Sequence, residues 1–241
     1  MKMTDNKIPN LDSRLSLAAS FVRRGGVVAD IGTDHAYLPI FLLLNGIVTD
    51  AVAADINKGP LDRARINAER YSLSDRITFC LSDGLKDIPL IEKKVTDIVI
   101  CGMGGELIAS IIEASGFVKD PSVRLILQPM SHVDKLRSFL SKSGFKIVDG
   151  GMAKAQGKIY QCLVCSYDGK VRSLSPAELE LGAENIKNAS SPLFQEALEK
   201  LFCKTERAIA GRNMGNLDSS SLTDLLCELV SIKKDLKNDC N

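Results

Sequence analysis

Residues 145–169 read FKIVDGGMAKAQGKIYQCLVCSYDG, two β-rich stretches joined by a short polar segment, Lys154 to Lys158. A parallel crossover needs about a dozen residues or more, so these stretches can pair only as an antiparallel hairpin. Upstream the rhythm differs. Short apolar runs at 27–31, 51–56, 77–81, 97–101 and 125–128 are each separated by room for one helix. That alternation builds a parallel sheet covered on both faces. Before the first run, Leu11, Leu15, Ala18, Ala19 and Val22 recur at near-helical spacing, predicting a helix over 11–24 that Gly25-Gly26 stops.

Five parallel strands followed by a hairpin predict an α/β, Rossmann-like fold with a mostly parallel seven-stranded sheet. This is the outline of a class I methyltransferase; a dehydrogenase would repeat its first half. The segment 166–176, SYDGKVRSLSP, reads as a linker, and the remainder as helical. There Phe194, Leu198, Leu201, Thr205 and Ala208 recur at steps of four and three. So do Leu222, Leu225, Leu229, Ile232 and Leu236, behind Ser219 to Ser221 as an N-cap. Two such stripes pack most simply as a coiled-coil-like helical hairpin. The expected division is a first domain over 1–170 and a helical domain over 171–241.

The chain has 241 residues, 45% hydrophobic and 25% charged, which fits a globular protein and excludes disordered and fibrous classes. Its longest apolar stretch, 40–48, is interrupted by Asn45 and Gly46 and is about half of what a membrane span requires. The polar start MKMTDNKIPNLDSR lacks a signal core, so a cytoplasmic protein without a membrane partner is expected; a monomer is the separate expectation for its assembly. Seven scattered cysteines and two histidines suit buried thiols, not disulfides or a metal centre, and no metal is expected. Cys162 and Cys165 form a C-x-x-C, but three residues apart on a strand they face opposite sides. From Pro176 onward 8 Lys and Arg stand against 11 Asp and Glu, leaving the excess of positive charge in the first domain. A polyanion would find its footing there, although solvation alone explains the same charges.

The turn after the first strand, DIGTDHAYLP at 30–39, decides what the site can hold. A pyrophosphate loop needs G-x-G-x-x-G; here only Gly32 of the three glycines is present, and carboxylates at Asp30 and Asp34 would repel a diphosphate. Asp55 ends the second strand and Ser82-Asp83-Gly84 follows the third. One aspartate at such a turn could simply cap a helix. Several at the carboxyl ends of successive parallel strands, where this architecture binds its ligand, point to a cationic ligand with hydroxyls. S-adenosylmethionine meets this description. Asp55 is assigned to its ribose diol, Asp83 to its adenine amine and Asp30 to its ammonium, with Gly32, Thr33, Ile56, Ser82 and Gly84 completing the pocket. In CGMGGELI at 101–108, three glycines in four positions imply close backbone approach. Gly102 and Met103 are placed on the methyl-donor side and Gly104 on the acceptor side. Gln128, in LILQPM, is a candidate base reader, flanked by Pro129 and Met130.

The stretches SRLSLAASFV, VADIGTDHAYLP, AADINKGPLDRA, SDGL, DIVICGMGGELI and LILQPM occur in the order in which they stand in the bacterial tRNA (adenine-22-N1)-methyltransferases, which the chain resembles over about residues 11–165. The resemblance implies methyl transfer from S-adenosylmethionine to N1 of an adenine in the D-arm region of tRNA, with the C-terminal helices helping to hold the tRNA. Carried over in that light, Asp34 would accept from the exocyclic amine of the target, His35 would orient it or take a proton, and Tyr37 would stack on the extruded base. Arg14, Arg23, Arg24, Lys58, Lys154 and Lys158 are candidate phosphate contacts. Another RNA or a small molecule as methyl acceptor, and a non-catalytic RNA-binding protein of this fold, are the alternatives.

Overall fold

The computed structural model describes residues 8–238. Seven strands, β1 (Val27–Ile31), β2 (Asp50–Asp55), β3 (Ile77–Leu81), β4 (Asp97–Met103), β5 (Arg124–Pro129), β6 (Phe145–Ala155) and β7 (Lys158–Tyr167), form one sheet in the order β3-β2-β1-β4-β5-β7-β6. The first five are parallel; β7 pairs antiparallel with both β5 and β6. The hairpin turns more tightly than its polar segment suggests. Ala155 already pairs with Lys158, and only Gln156 and Gly157 turn the chain, with φ of +48° and +75°. Two positive φ values in succession match the right-handed twist of the flanking strands.

Helices α1 (Ser13–Ser20), α2 (Tyr37–Leu44) and α3 (Lys58–Arg70) cover one face of the sheet; α4 (Gly105–Glu113) and α5 (Val133–Lys142) cover the other. The Asp12 carboxylate accepts from the amides of Arg14 and Leu15 and so starts α1. The helix ends earlier than its apolar spacing predicts, because Phe21 and Val22 bond three residues back, to Ala18 and Ala19, and tighten the last turn. Cys162 packs into the core under α1 and α2, Cys165 into the opposite one, so their sulfurs do not converge. Burial pushes the Cys162 thiol up to about 12.

The C-terminal part consists of α6 (Pro176–Leu181), α7 (Ala183–Ile186), α8 (Pro192–Met214) and α9 (Ser220–Asn238). A reciprocal cap between Ser175 and Glu178 opens α6. Phe194 and Leu198 of α8 meet Leu225 and Leu229 of α9 in a separate core, as the two stripes require. The α8 stripe ends at Thr205, whose hydroxyl bonds the carbonyl of Leu201; Ala208 is exposed.

The two parts are joined by a buried cation. Arg137 of α5 is wholly buried and pairs with Glu184 of α7 at 2.5 Å. Its guanidinium also reaches Gln161 at 2.8 Å and the carbonyls of Leu179 and Glu180 at 3.3 Å. Arg23, a candidate phosphate contact, instead pairs with fully buried Asp97 at 3.0 Å and donates to the Thr96 carbonyl. Asp97 begins β4, so Arg23 sits at the amino ends of the strands, away from the ligand edge. Lys154 is similarly committed, to Glu196 of α8 at 2.8 Å. Among the described residues no helix is long and apolar enough to cross a membrane.

Candidate functional site

The carboxyl ends of β1, β4 and β5 open into a cavity of about 490 Å³. Asp30, Gly32, Asp34 and Tyr37 line it from the first strand and its turn; Gly102, Gln128 and Met130 line it from β4 and β5, and Arg14 from α1. Eight of the residues singled out in the sequence therefore meet in one place. Asp55 and Ile56, at the end of β2, and Ser82 to Gly84, after β3, form the adjoining rim, since β1 pairs with β2 and β2 with β3 in register.

The turn after β1 is tied to β2, because the amides of Gly32 and Thr33 both donate to the Ala54 carbonyl, at 2.8 and 2.9 Å. Gly32 takes φ +76°, and a Cβ there would fall 2.1 Å from Met103 Cε. Across the cavity the β4–β5 register slips between Cys101 and Met103, leaving Gly102 at φ +81° facing open space. The bulge offers bare backbone where a ligand can approach closely. Gly104 precedes α4 as its N-cap, and Met103 is half-buried.

Asp30 is almost wholly buried, 8% exposed. Burial pushes its carboxyl up to about 6; the Thr33 hydroxyl opposes the shift and the Asp55 carboxylate adds to it. The Asp55 side chain accepts the Asn57 amide at 2.7 Å, which fixes its direction at the strand end. Beside it Ile56 is 60% exposed, and Leu81, which pairs with Asp55 across the β2–β3 ladder, is 58% exposed. The two form an apolar strip next to a carboxylate, suited to a purine attached to a diol. Ser82 is buried and braces its own loop, donating to the Gly84 carbonyl and accepting the Asp87 amide, while Asp83 is exposed at the rim.

Gln128 is 1% exposed. Its amide nitrogen donates to the Pro129 carbonyl at 2.9 Å and to Met130 Sδ at 3.8 Å, and its Oε1 is buried without a partner. A buried acceptor left unpaired is costly, so this oxygen is an open position for a donor. The residue cannot read both edges of a base as its amide chemistry suggests; it can only accept. Arg14 is held on three sides, by Asp12 at 2.6 Å, by Met130 Sδ at 2.8 Å and by the Tyr160 ring 5.2 Å below its guanidinium.

On the opposite lip Asp34 is exposed; its Oδ1 accepts from Arg63 at 3.1 Å, and His35 Nε2 lies 3.5 Å away. The rings of His35 and Tyr37 stack, with centroids 5.3 Å apart and planes at 13°. The backbone between them is unusual. His35 and Ala36 have φ of +63° and +54°, which costs about 1–3 kcal/mol for each non-glycine residue. Leu81, Arg63 and Asn67 are site neighbours that the sequence reading passed over. The signal for Asn67 was present: it interrupts the buried face of α3 formed by Leu61, Ala64 and Ala68.

A family model described as a methyltransferase domain matches residues 11–163. The tRNA (adenine(22)-N(1))-methyltransferase of Bacillus subtilis is 38% identical over 167 residues, covering 66% of this chain and 69% of that protein. A Streptococcus pneumoniae protein assigned as a tRNA (m1A22) methyltransferase, solved with S-adenosyl-L-methionine, is 35% identical; the match covers 92% of this chain and 99% of that one, with a TM-score of 0.77. An M. capricolum structure holding S-adenosyl-homocysteine is 26% identical, covering 94% and 98%, with a TM-score of 0.75.

Proposed function

The chain belongs to the tRNA (adenine(22)-N(1))-methyltransferase family, and from that membership we propose that it methylates N1 of adenine 22 in the D-arm region of tRNA, in the cytoplasm, using S-adenosylmethionine. The observation that carries the reading is the cavity's charge: buried Asp30 beside Asp55, with bare backbone at Gly102 across the cavity and no diphosphate loop.

When bound, S-adenosylmethionine supplies an electrophilic methyl group on a sulfonium. The chain's own residues bind and orient. Asp55 accepts from the ribose hydroxyls, Ile56 and Leu81 flank the adenine, and Asp83 accepts from its amine. Asp30 faces the ammonium, with Thr33, Ser82, Gly84 and Met103 shaping the surrounding loops. On the acceptor side N1 of a neutral adenine already carries a lone pair, so no base is needed to create the nucleophile. Alignment and charge stabilisation remain. Asp34 accepts from the target's exocyclic amine as positive charge spreads over the purine, His35 is placed to take a proton afterwards, and Tyr37 stacks on the extruded base. Gln128 Oε1 offers a second acceptor, and Arg14, Gly104, Pro129 and Met130 form the wall behind it.

The C-terminal part from residue 171, described as far as 238, is assigned to tRNA recognition. A second cavity, of about 720 Å³, shares Met130 with the first and brings Lys158 of the hairpin together with Lys204 of α8, while Lys200 beside it pairs with Glu196 at 2.8 Å. Cations on both sides of one groove support a phosphate path there.

Two outcomes are expected. Asp55→Ala weakens S-adenosylmethionine binding by about 10- to 100-fold, the range for hydrogen bonds to a charged acceptor, with its melting temperature nearly unchanged. Calorimetric titration of wild type and variant measures it. NADH should give no heat with the wild type, and tight NADH binding contradicts the reading. The second concerns pH. Asp30 has its carboxyl raised from 3.8 to about 6 in the fold, so the folded state holds the extra proton below that pH and loses it above. A cation beside it gains as pH rises through 6. Titrations from pH 5 to 8 should show S-adenosylmethionine affinity climbing across that point and then levelling, and Asp30→Asn should flatten the climb.

A further inference from the structure

We propose that α3 positions the acceptor side of the reaction, through Asn67 and Arg63 clamping the turn that carries Asp34, His35 and Tyr37. The inference rests on the roles given to those three residues above and adds what holds them in place.

His35 and Ala36 are the only two consecutive non-glycine residues at positive φ among the described residues. The residue types do not favour this backbone, and the one local ring contact is the stack of His35 on Tyr37. Neither residue is a glycine, and Ala36, at the N-cap of α2, stands in the left-handed region without a side-chain cap, where Ser, Thr, Asp or Asn in extended backbone is the usual arrangement. The ties to Ala54 end at Thr33. A conformation of this kind persists only when its surroundings over-determine it. Here Ala36 is buried in the core beneath α1 and α2, and the polar ties come from one face of α3.

Asn67 Nδ2 donates to the His35 carbonyl at 3.0 Å, and Arg63, one turn earlier, donates to Asp34 Oδ1 at 3.1 Å. Asn67 is 7% exposed among buried Leu61, Ala64 and Ala68. A polar amide on a core-facing stripe is disfavoured unless it is hydrogen-bonded, and the bond it makes goes to the strained residue. The clamp also divides the work of the Asp34 carboxylate: Oδ1 accepts from Arg63, which leaves Oδ2 for the amine of the target base. Asn67 and Arg63 are thus positioning residues, acting through the turn.

The test compares Asn67→Leu, which keeps the volume and removes the donor, with Arg63→Met, a change at a half-exposed site that spares the fold. Steady-state methylation of tRNA is measured below each variant's melting transition, with S-adenosylmethionine affinity measured separately. A misplaced reacting geometry lowers kcat without weakening the binding of the donor. Expected is a fall in kcat of about 10- to 100-fold for Asn67→Leu and about 5- to 10-fold for Arg63→Met. KM for tRNA and affinity for the donor should stay within about threefold of wild type. Wild-type kcat in both variants, or a loss confined to thermal stability, overturns the clamp. Failure of the functional reading itself shows differently, as absence of N1-methyladenosine with the wild type.

Discussion

Asp34→Ala is expected to lower kcat for tRNA methylation by about 10²- to 10³-fold while leaving S-adenosylmethionine affinity within about threefold. The magnitude is that of removing one preorganised electrostatic partner from a developing charge. As N1 takes the methyl group, the adenine becomes a cation shared between N1 and the exocyclic amine, and a carboxylate accepting from that amine is stabilising only as the charge appears. At 4 Å a unit pair is worth about 1 kcal/mol in water and about 4 kcal/mol near a protein surface, and stacking of a base on Tyr37 moves the pair toward the second value. Asp34 is exposed without the base, so folding should not suffer. Asp34→Asn keeps an acceptor oxygen without the charge and should fall between wild type and alanine. Single-turnover kinetics separate the chemical step from release; a kcat within threefold of wild type for Asp34→Ala removes the residue from the mechanism.

The second large effect is on stability. Arg137→Ala leaves Glu184, a side chain only 10% exposed, without its cation. It also strips the carbonyls of Leu179 and Glu180 of a donor. Breaking one half of a buried pair costs about 3–5 kcal/mol, and in a chain of this size each kcal/mol lowers Tm by about 2–4 °C. A drop of about 6–20 °C in thermal denaturation is expected, with hydrogen exchange rising first in α6 and α7. Arg137→Met combined with Glu184→Met should recover much of the loss, since the expense lies in the orphaned charge and not in the missing pair. Equal destabilisation by the double variant contradicts this account of the joint.

What the sequence made legible follows from which physics is local. The hairpin was readable because loop length forbids a crossover, and the five parallel strands because buried strands are continuous apolar runs. Asp30, Asp34 and Asp55 were readable as a set, because one carboxylate at a strand-to-helix turn can cap a helix but several at successive carboxyl ends share the ligand edge. Arg23 went the other way: a charge count does not say at which end of a strand a side chain lies, and its partner Asp97 is 74 residues distant. Leu81 was hidden because a leucine closing a strand reads as core; only the register with Asp55 exposes it. Gln128 was found, but its orientation depends on the Pro129 carbonyl, which no pattern predicts. The Ala208 position shows that a heptad-like stripe fixes a seam without fixing how far it runs.

The most direct measurement combines the enzyme with methyl-deuterated S-adenosylmethionine and unmodified tRNA carrying adenine at position 22, followed by nuclease digestion and mass spectrometry of the nucleosides. The account predicts deuterated N1-methyladenosine from that tRNA and none from the same tRNA with guanine at position 22. Label appearing on guanosine, on another position of adenine, or equally in both tRNAs contradicts it.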